Sequence, residues 1–387
     1  MSRIMRLSDL GRIVTGNTPK TSDFRNYNSK DICFVKPSDI PVDCIGRLRE
    51  SEFYISEFAR DKARMLPKGS VLLTCIGIIG KVAVNEIECA FNQQINAIIP
   101  DCDKCDCIYL AYALSAKKDY LQALANAPVV PIINKTQFSA FQVPVPSLSV
   151  QSDIVKRIEI IDYLISLRQR QTEKLDELVK ARFVEMFGDP VRNTKHWEKA
   201  SLLALGSCKN GMSFHANESG IKLRCLGVGD FKNLSYIDDV EQLPFVSLAE
   251  KPSANCFLHD GDIVFVRSNG NKALVGRCLL VYPRDTPTIY SGFCIRYRLL
   301  TEKVDPIYAL HVLKAEGIRQ KMSGRGANIQ NLNQKILAAI EMPIPPLPLQ
   351  NAFATFVHEV DREKERIQRS AALLETLKRS LMQQYFG

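Results

Sequence analysis

The sequence predicts an α+β protein made of two homologous halves, each a globular unit followed by a long helix. Three patterns predict this fold: a long internal repeat, short apolar runs bounded by glycine, and two long segments with apolar residues at every third or fourth position. The chain has 387 residues, of which 46% are hydrophobic, and can therefore bury a sizeable core in two to three domains.

The internal repeat sets the domain organisation. The segment 143–151 recurs 199 positions later as 342–350, and Phe187-Gly188 recurs at the same offset as Phe386-Gly387. Upstream the offset drifts to 192–195, as expected when loops differ in length. We therefore predict a globular domain over 1–147, a helix over 148–188, a second globular domain over 189–346 and a C-terminal helix over 347–387.

Short apolar runs mark the strands of the globular domains. In the first half, 70–76 and 81–84 read as consecutive buried strands on either side of a Gly77-x-x-Gly80 turn. In the second half, 262–266 and 277–281 occupy the equivalent places. The spacing predicts helices over 108–124 and 306–314.

Both long helices carry the heptad spacing of a coiled-coil seam. Each follows a proline-rich segment, which cannot lie inside a helix, and each ends at a glycine. Two matching seams in one chain favour antiparallel pairing with each other, which relates the halves by an approximate two-fold axis. The predicted seam contains Ile154, Ile158, Ile161, Leu175, Leu178, Val360, Leu374, Leu377 and Leu381.

The composition narrows the class of protein. The formal net charge is +9, which favours a polyanionic partner. No apolar run is long enough to span a membrane, and the first residues lack the apolar core of a signal peptide. Twelve scattered cysteines in a chain of this size indicate free thiols and a reducing cytoplasm.

Sequence motifs for metal binding and catalysis are missing. Cys102, Cys105 and Cys107, with Cys89 upstream, lack a second regular pair, so they favour a polar loop over a zinc site. The chain has no phosphate-binding Gly-x-x-x-x-Gly-Lys-Ser/Thr loop, no His-Glu-x-x-His and no Asn-Pro-Pro-aromatic tetrapeptide. We therefore expect no catalytic residue and no metal site.

The order of domain, helix, domain and helix resembles the specificity subunit of type I restriction–modification systems. The resemblance covers the whole chain and rests on the 143–151 junction, its copy at 342–350, the helix end at 178–188, the element Gly77-x-x-Gly80-Lys81, and Phe91-Asn92-Gln93-Gln94. It implies that each globular domain is a target-recognition domain for one half of a bipartite duplex DNA site. It further implies that the helices set the spacer and dock two methyltransferase subunits, and that two restriction and motor subunits join. S-adenosylmethionine, ATP and Mg²⁺ would then be bound by these partners and not by this chain.

Polar and basic loop residues are the candidates for DNA contact, because such side chains read base edges or hold phosphates. In the first domain they are Lys36, Ser38, Lys81, Asn92, Gln93, Asn134 and Lys135. In the second domain they are Arg267, Ser268, Asn269, Asn271, Arg277, Arg325 and Asn328.

Three other interpretations stay open at this point. The chain could serve a related system whose single partner both cuts and methylates, and only the neighbouring chain distinguishes that case. A stand-alone DNA-binding regulator would bind a bipartite site without partners. A coiled-coil scaffold that binds no nucleic acid explains the helices but not two basic, loop-rich domains.

Overall fold

The computed structural model describes residues 2–125, 131–214, 220–231, 235–323 and 331–387. Its contacts divide the chain into two compact units. Unit 1 comprises Met1–Arg170 and Gln368–Gly387, and unit 2 comprises Gln171–Ile367. Each long helix thus contributes residues to both units, while the four-segment division at residues 147, 188 and 346 stays a prediction.

Unit 1 mixes short strands and helices. Its strands are β1 Arg3–Arg6, β2 Gly11–Thr15, β3 Ile32–Val35, β4 Gly46–Leu48, β5 Tyr54–Ile55, β6 Met65–Leu66, β7 Val71–Thr74, β8 Val82–Asn85, β9 Cys89–Phe91, β10 Ile95–Pro100 and β11 Gln142–Val145. Its helices are α1 Leu7–Leu10, α2 Cys107–Ala116, α3 Lys118–Leu124, α4 Lys135–Ala140 and the first part of α5 Leu148–Phe187. The predicted helix over 108–124 is therefore two helices.

A five-stranded sheet in the order β2-β10-β7-β8-β4 forms the centre of unit 1. Val71 and Leu73 on β7 pack under the helices, whereas Leu72 faces a smaller sheet in the order β5-β3-β9-β6. Because both faces are covered, the strand is apolar at every position, which explains the continuous run in the sequence. A two-stranded sheet of β1 and β11 completes the unit.

Unit 2 repeats this order of elements. Its strands are β12 Lys199–Ser201, β13 Gly206–Asn210, β14 Ile221–Leu226, β15 Tyr236–Ile237, β16 Phe245–Leu248, β17 Asp262–Val266, β18 Cys278–Val281, β19 Thr288–Tyr290, β20 Cys294–Leu299 and β21 Glu341–Pro343. Its helices are α6 Leu202–Leu205, α7 Pro306–Lys314, α8 Glu316–Ser323, α9 Gln334–Ala338 and the first part of α10 Leu347–Phe386.

The sheets of unit 2 match those of unit 1. The order β13-β20-β17-β18-β15 corresponds to the large sheet, β16-β14-β19 to the smaller one, and β12 pairs with β21. In both units one edge strand of the large sheet is parallel to its neighbour: β4 to β8 in unit 1 and β15 to β18 in unit 2. All other neighbouring strands of these two sheets are antiparallel. The predicted fold class is confirmed: two homologous α+β halves, in each of which the sheets are followed along the chain by a 40-residue helix.

Within each unit, segments of α5 and α10 run antiparallel. In unit 1, Lys378 Nζ lies 2.6 Å from Asp162 Oδ1, and in unit 2 Lys364 pairs with Asp176. The structure buries Ile154, Ile158, Ile161 and Val360 and half-buries Leu175, Leu374 and Leu381.

Leu178 and Leu377 correct the predicted seam, because each is 48% exposed. A heptad alternates steps of three and four. After the step of three between Thr172 and Leu175, the next seam position is therefore Val179, which is buried. Leu178 lies one residue before this seam position. Leu377 is its equivalent 199 positions later and misses the seam of the second helix for the same reason.

Two further properties concern the described residues alone. No helix in those ranges combines the length and apolarity needed to cross a membrane. All twelve cysteines lie in the described ranges, and no disulfide joins them.

Candidate nucleic-acid interface

Several loops of unit 1 meet at one end of its five-stranded and four-stranded sheets. The Gly16 amide donates to the Ile95 carbonyl at 3.2 Å, and the Asn17 amide donates to the Phe91 carbonyl at 3.1 Å. A Cβ on Gly16 would lie 2.1 Å from the Asn92 carbonyl oxygen, so this close approach requires glycine.

Other backbone bonds add three more segments to the same end. The Cys75 amide donates to Gln94, the Ile133 amide to Cys75, and the Asn92 amide to Val35, with N···O distances of 2.8, 2.9 and 3.1 Å. We call the resulting surface the loop face of unit 1: residues 16–18, 36–38, 75–80, 92–94 and 133–135.

Unit 2 makes five equivalent bonds. The donors and acceptors are Gly211 to Cys294, Met212 to Tyr290, Arg267 to Phe293, Leu332 to Arg267 and Ser291 to Leu226, with distances of 2.8–3.0 Å. The loop face of unit 2 therefore comprises residues 211–213, 227–228, 267–271, 291–293 and 331–333. The two units share one backbone frame but carry different side chains on it.

The turn between β9 and β10 presents its three polar residues unequally. The exposed Gln93 accepts from Thr18 Oγ1 at 2.6 Å through Oε1. Asn92 is 6% exposed and closes the turn, because its side chain bonds both the amide nitrogen and the side-chain oxygen of Gln94. Gln93 is thus the residue of this turn that is placed for an external contact.

Asn134 and Lys135 open α4 at the edge of the same face. Asn134 accepts from the Gln137 amide at 2.9 Å and so caps the helix, although the residue is exposed. Lys135 follows it and is also exposed. Capping and ligand contact are compatible here, since the Asn134 amide group retains its donors.

Lys81 has a structural role, which corrects its prediction as a DNA-contacting residue. It is 8% exposed, and its Nζ donates to the carbonyl oxygens of Pro37 and Ile40 at 2.8 and 2.9 Å. The ammonium group is therefore used to hold the turn that carries the exposed Ser38. On the same turn, Lys36 Nζ lies 3.1 Å from the centre of the Phe53 ring.

The predicted residues of unit 2 surround the loop after β17. Arg267 is half-buried, with Nη1 3.3 Å from the Gly292 carbonyl oxygen, and Ser268 forms an isolated bridge with Asn331. The Asn269 and Asn271 side chains accept from nearby amides and shape the loop. Arg277 is half-buried. Arg325 and Asn328 lie outside the described residues.

A basic and aromatic cluster beside the loop face of unit 1 escaped the sequence prediction. Asn17 connects it to the face, because its side chain bonds the Lys62 carbonyl and the Arg64 amide, both at 2.7 Å. The Phe58 ring is 48% exposed, with Lys62 Nζ 3.6 Å and Arg25 Cζ 4.6 Å from its centre. In the sequence, this cluster is marked by cations next to aromatic residues at 24–25 and 58–62. Because the two segments are far apart in the chain, the sequence alone does not bring them together.

One acid belongs to the same cluster. A hydrogen bond from Arg25 lowers the pKa of Asp23 to about 2, so this carboxylate stays ionised at neutral pH. Arg25 Nε lies 2.8 Å and Lys62 Nζ 3.5 Å from this carboxylate, so the two cations beside the Phe58 ring share one anion. An exposed cluster of this kind suits a phosphate backbone.

The described residues contain no group of three or more His, Cys, Asp or Glu side chains that could hold a metal ion. Of the four cysteines considered for zinc, Cys89 and Cys105 are buried in separate apolar clusters. Cys102 is exposed in the polar loop before α2.

Comparison with protein families gives two matches on this chain. The family model described as the type I restriction modification DNA specificity domain matches residues 2–177 and again 195–375. The two matches correspond to the two copies of the internal repeat.

Individual relatives align along most of the chain. The type I restriction enzyme MjaIX specificity subunit of Methanocaldococcus jannaschii is 23% identical over 398 residues, covering 98% of this chain and 91% of the relative. The MjaVIII specificity subunit of the same organism is 26% identical and covers 72% and 69%. The EcoKI specificity subunit of Escherichia coli is 20% identical and covers 99% and 88%.

Solved structures share the fold. The S subunit of a type I restriction–modification system from M. genitalium superposes with a TM-score of 0.54 and 14% identity, covering 100% of this chain and 96% of that chain. A chain from a study of complex assembly and conformational transition of the type I R-M system reaches a TM-score of 0.66 with 15% identity, covering 100% and 97%.

Proposed function

Because the chain belongs to the type I restriction–modification DNA specificity domain family, we propose that it selects the bipartite duplex DNA site on which the other subunits of such a system act. Its role is recognition and not catalysis, since the relatives that match it along most of their length are named specificity subunits. The loop face of each unit reads one half-site.

This proposal rests mainly on one observation: the two loop faces have the same backbone hydrogen bonds but different side chains. Five equivalent backbone bonds hold the loop face in each unit. On that frame, Asn92-Gln93-Gln94 of unit 1 stands where Ser291-Gly292-Phe293 stands in unit 2. A shared scaffold with different side chains suits two half-sites of different sequence, because base edges are read by side chains.

Charge supports a nucleic-acid partner. The chain carries a net charge of +9. The cluster of Arg25, Phe58 and Lys62 is connected to Gln93 by two adjacent residues. Asn17 bonds the Lys62 carbonyl, and Thr18 bonds the Gln93 side chain. In this proposal the cluster holds phosphates and positions unit 1, while Gln93 and Asn134 contact bases.

The outer faces of α5 and α10 are the proposed docking surface for methyltransferase subunits. In unit 1 four large apolar side chains on these helices are 48–72% exposed: Ile160, Tyr163, Leu373 and Leu377. Four exposed apolar side chains on two adjacent helices are typical of a surface that binds another protein. Two methyltransferase and two restriction subunits are proposed, with S-adenosylmethionine, ATP and Mg²⁺ bound by those partners in the cytoplasm.

The proposal is tested by co-expression with the adjacent methyltransferase gene in a host without such systems, followed by genome-wide mapping of methylated adenines. A new two-part motif with a fixed gap, absent when this chain is omitted, is the expected result. Sequence-specific binding of the bipartite site by the chain alone would favour the stand-alone regulator. A soluble complex that produces no new motif would overturn the recognition role.

A further inference from the structure

Phe293 is a large apolar residue held at the tip of the loop face of unit 2. Its side chain is 62% exposed, but its backbone is fixed from both sides. The Phe293 carbonyl accepts from the Arg267 and Ser268 amides at 2.8 and 3.3 Å, and the Gly292 amide donates to Met212 at 2.5 Å. The structure therefore presents the ring on a rigid turn.

The equivalent residue of unit 1 shows that the turn does not need this ring. Gln94 lies 199 positions earlier, is half-buried, and accepts from Asn92 Nδ2 at 2.9 Å. The amide of each residue meets a side-chain oxygen two positions earlier: Gln94 N lies 3.1 Å from Asn92 Oδ1, and Phe293 N lies 3.3 Å from Ser291 Oγ. Unit 2 thus keeps the hydrogen bond to the backbone amide that closes the turn, while the side chain of Phe293 points to the surface.

The surroundings of Phe293 suit the major groove. The guanidinium of Arg267, from the loop after β17, donates to the Gly292 carbonyl at 3.3 Å and so lies against the same turn, and arginine is the commonest reader of guanine in that groove. Thymine is the one base that presents an apolar group in that groove, its C5 methyl. A phenyl ring offers apolar contact and no hydrogen bond, so of the four bases it can favour thymine.

We infer that Phe293 packs on the C5 methyl group of a thymine in the half-site read by unit 2. The inference rests on the proposed function and names one base contact within it. Gln94, polar and engaged with Asn92, makes no such contact in unit 1. The two half-sites are therefore read with different chemistry at equivalent backbone positions.

The test uses the complex of the full chain with its methyltransferase and duplexes that carry the mapped motif. Each thymine of the unit 2 half-site is replaced singly by deoxyuridine, which removes one methyl group. For the unaltered protein, one replacement weakens binding about fourfold, the usual effect of exposing one methyl group. Phe293→Ala binds the thymine and deoxyuridine duplexes equally at that position, whereas Phe293→Leu retains part of the preference.

Phe245→Ala is the matched control, because Phe245 is also exposed and lies in the same unit. That variant keeps the full preference for thymine at the sensitive position. A thermal melt checks that each variant is folded.

Three results would overturn the inference. They are a half-site without thymine, deoxyuridine tolerated at every position, or a thymine preference that persists in Phe293→Ala. If Phe293→Ala weakens all duplexes equally, the ring acts elsewhere, for example as a wedge between base steps. Absence of specific binding by the unaltered complex would instead refute the proposed function itself.

Discussion

Gln151 and Gln350 are fully buried and make the same three hydrogen bonds, each in its own unit. Gln151 accepts from the Asp106 amide at 2.8 Å and donates to Lys104 and Pro146 carbonyls at 3.1 and 2.8 Å. Gln350 repeats these bonds with Asp305, Lys303 and Pro345 at 2.9, 3.0 and 2.7 Å. One side chain thus joins the start of each long helix to the loop that enters α2 or α7.

Replacing either glutamine should destabilise its unit. Gln350→Leu removes the side-chain partner of three backbone groups, one buried and two partly buried, which costs about 3 kcal/mol of unfolding free energy. Trp197 is the only tryptophan and lies in unit 2, so its fluorescence in denaturant reports the loss. Gln334→Leu, at an exposed position on α9 in the same unit, is the control and should change stability by less than about 0.5 kcal/mol. Equal stability of both variants would contradict the assigned role.

Lys81→Met should lower stability without changing the salt dependence of DNA binding. The variant loses two hydrogen bonds from a charged donor, one to a partly buried and one to a buried carbonyl, which we expect to cost about 2–3 kcal/mol. Calorimetry measures the stability, and binding titrations over a range of salt measure the phosphate contacts. Lys68→Met, at an exposed position in the same unit, is the control. A salt slope reduced by about one in Lys81→Met would restore this lysine as a phosphate contact.

The sequence predicts what local periodicity determines. The strand at 262–266 and both long helices follow from apolar spacing, because burial of one or two faces leaves a regular trace. Leu178 shows the limit of that reasoning: it lies three residues after the seam residue Leu175, but the alternation of steps selects Val179, which is buried.

Long-range polar contacts leave no such trace. Lys81 is buried by carbonyls more than 40 positions earlier in the chain, and Phe58 reaches the loop face only because Asn17 bonds residues 62 and 64. The candidate site could therefore be predicted as a set of loops, but not which side chains face outward and which hold the loops together.

The cluster beside Phe58 should contribute phosphate contacts. Arg25→Ala and Lys62→Ala should each weaken DNA binding for all sequences alike and reduce the salt slope by about one. Arg49→Ala is the control, because Arg49 is an exposed arginine of the same unit that also pairs with a carboxylate but does not contact Phe58. Binding titrations at several salt concentrations make the comparison. An unchanged slope in both cluster variants would remove this cluster from the interface.

His311 should make unit 2 less stable in mild acid. Burial, followed by the charges of Lys314 and Lys364, lowers its pKa to about 3. The unfolded chain takes up a proton near pH 6.5 and the folded chain does not, so stability is fully present above pH 6.5 and is lost as pH falls toward 3. Between pH 7.5 and pH 5 the loss is about 2 kcal/mol.

The variant His311→Phe isolates this effect. A phenyl ring suits the site, since Phe353 lies 5.0 Å and Phe183 6.1 Å from the imidazole centre. Denaturation followed by Trp197 fluorescence should show that the variant is spared the loss at pH 5. Parallel pH profiles for the variant and the unaltered protein would show that other groups cause the acid sensitivity.

The exposed leucines of α10 should be needed for assembly and not for folding. Leu373 and Leu377 are 72% and 48% exposed, and residues four apart lie on the same side of a helix. Leu373→Ser with Leu377→Ser should weaken co-purification of the methyltransferase about tenfold or more, because two apolar side chains lose a buried contact. Thermal stability should be unchanged. Leu203→Ser, at a 49% exposed leucine on α6, is the control.

Lys364 separates docking from folding in the same experiment. Its ammonium group pairs with Asp176 and lies 3.5 Å from Asp361, and the side chain is 18% exposed. Lys364→Glu places a third negative charge against two carboxylates and should therefore lower the stability of unit 2. Arg366 is 76% exposed, so the charge reversal Arg366→Glu should not lower the stability of unit 2 in this way. If the leucine pair variant co-purifies normally, the docking surface lies elsewhere; if it melts early, these leucines belong to the fold.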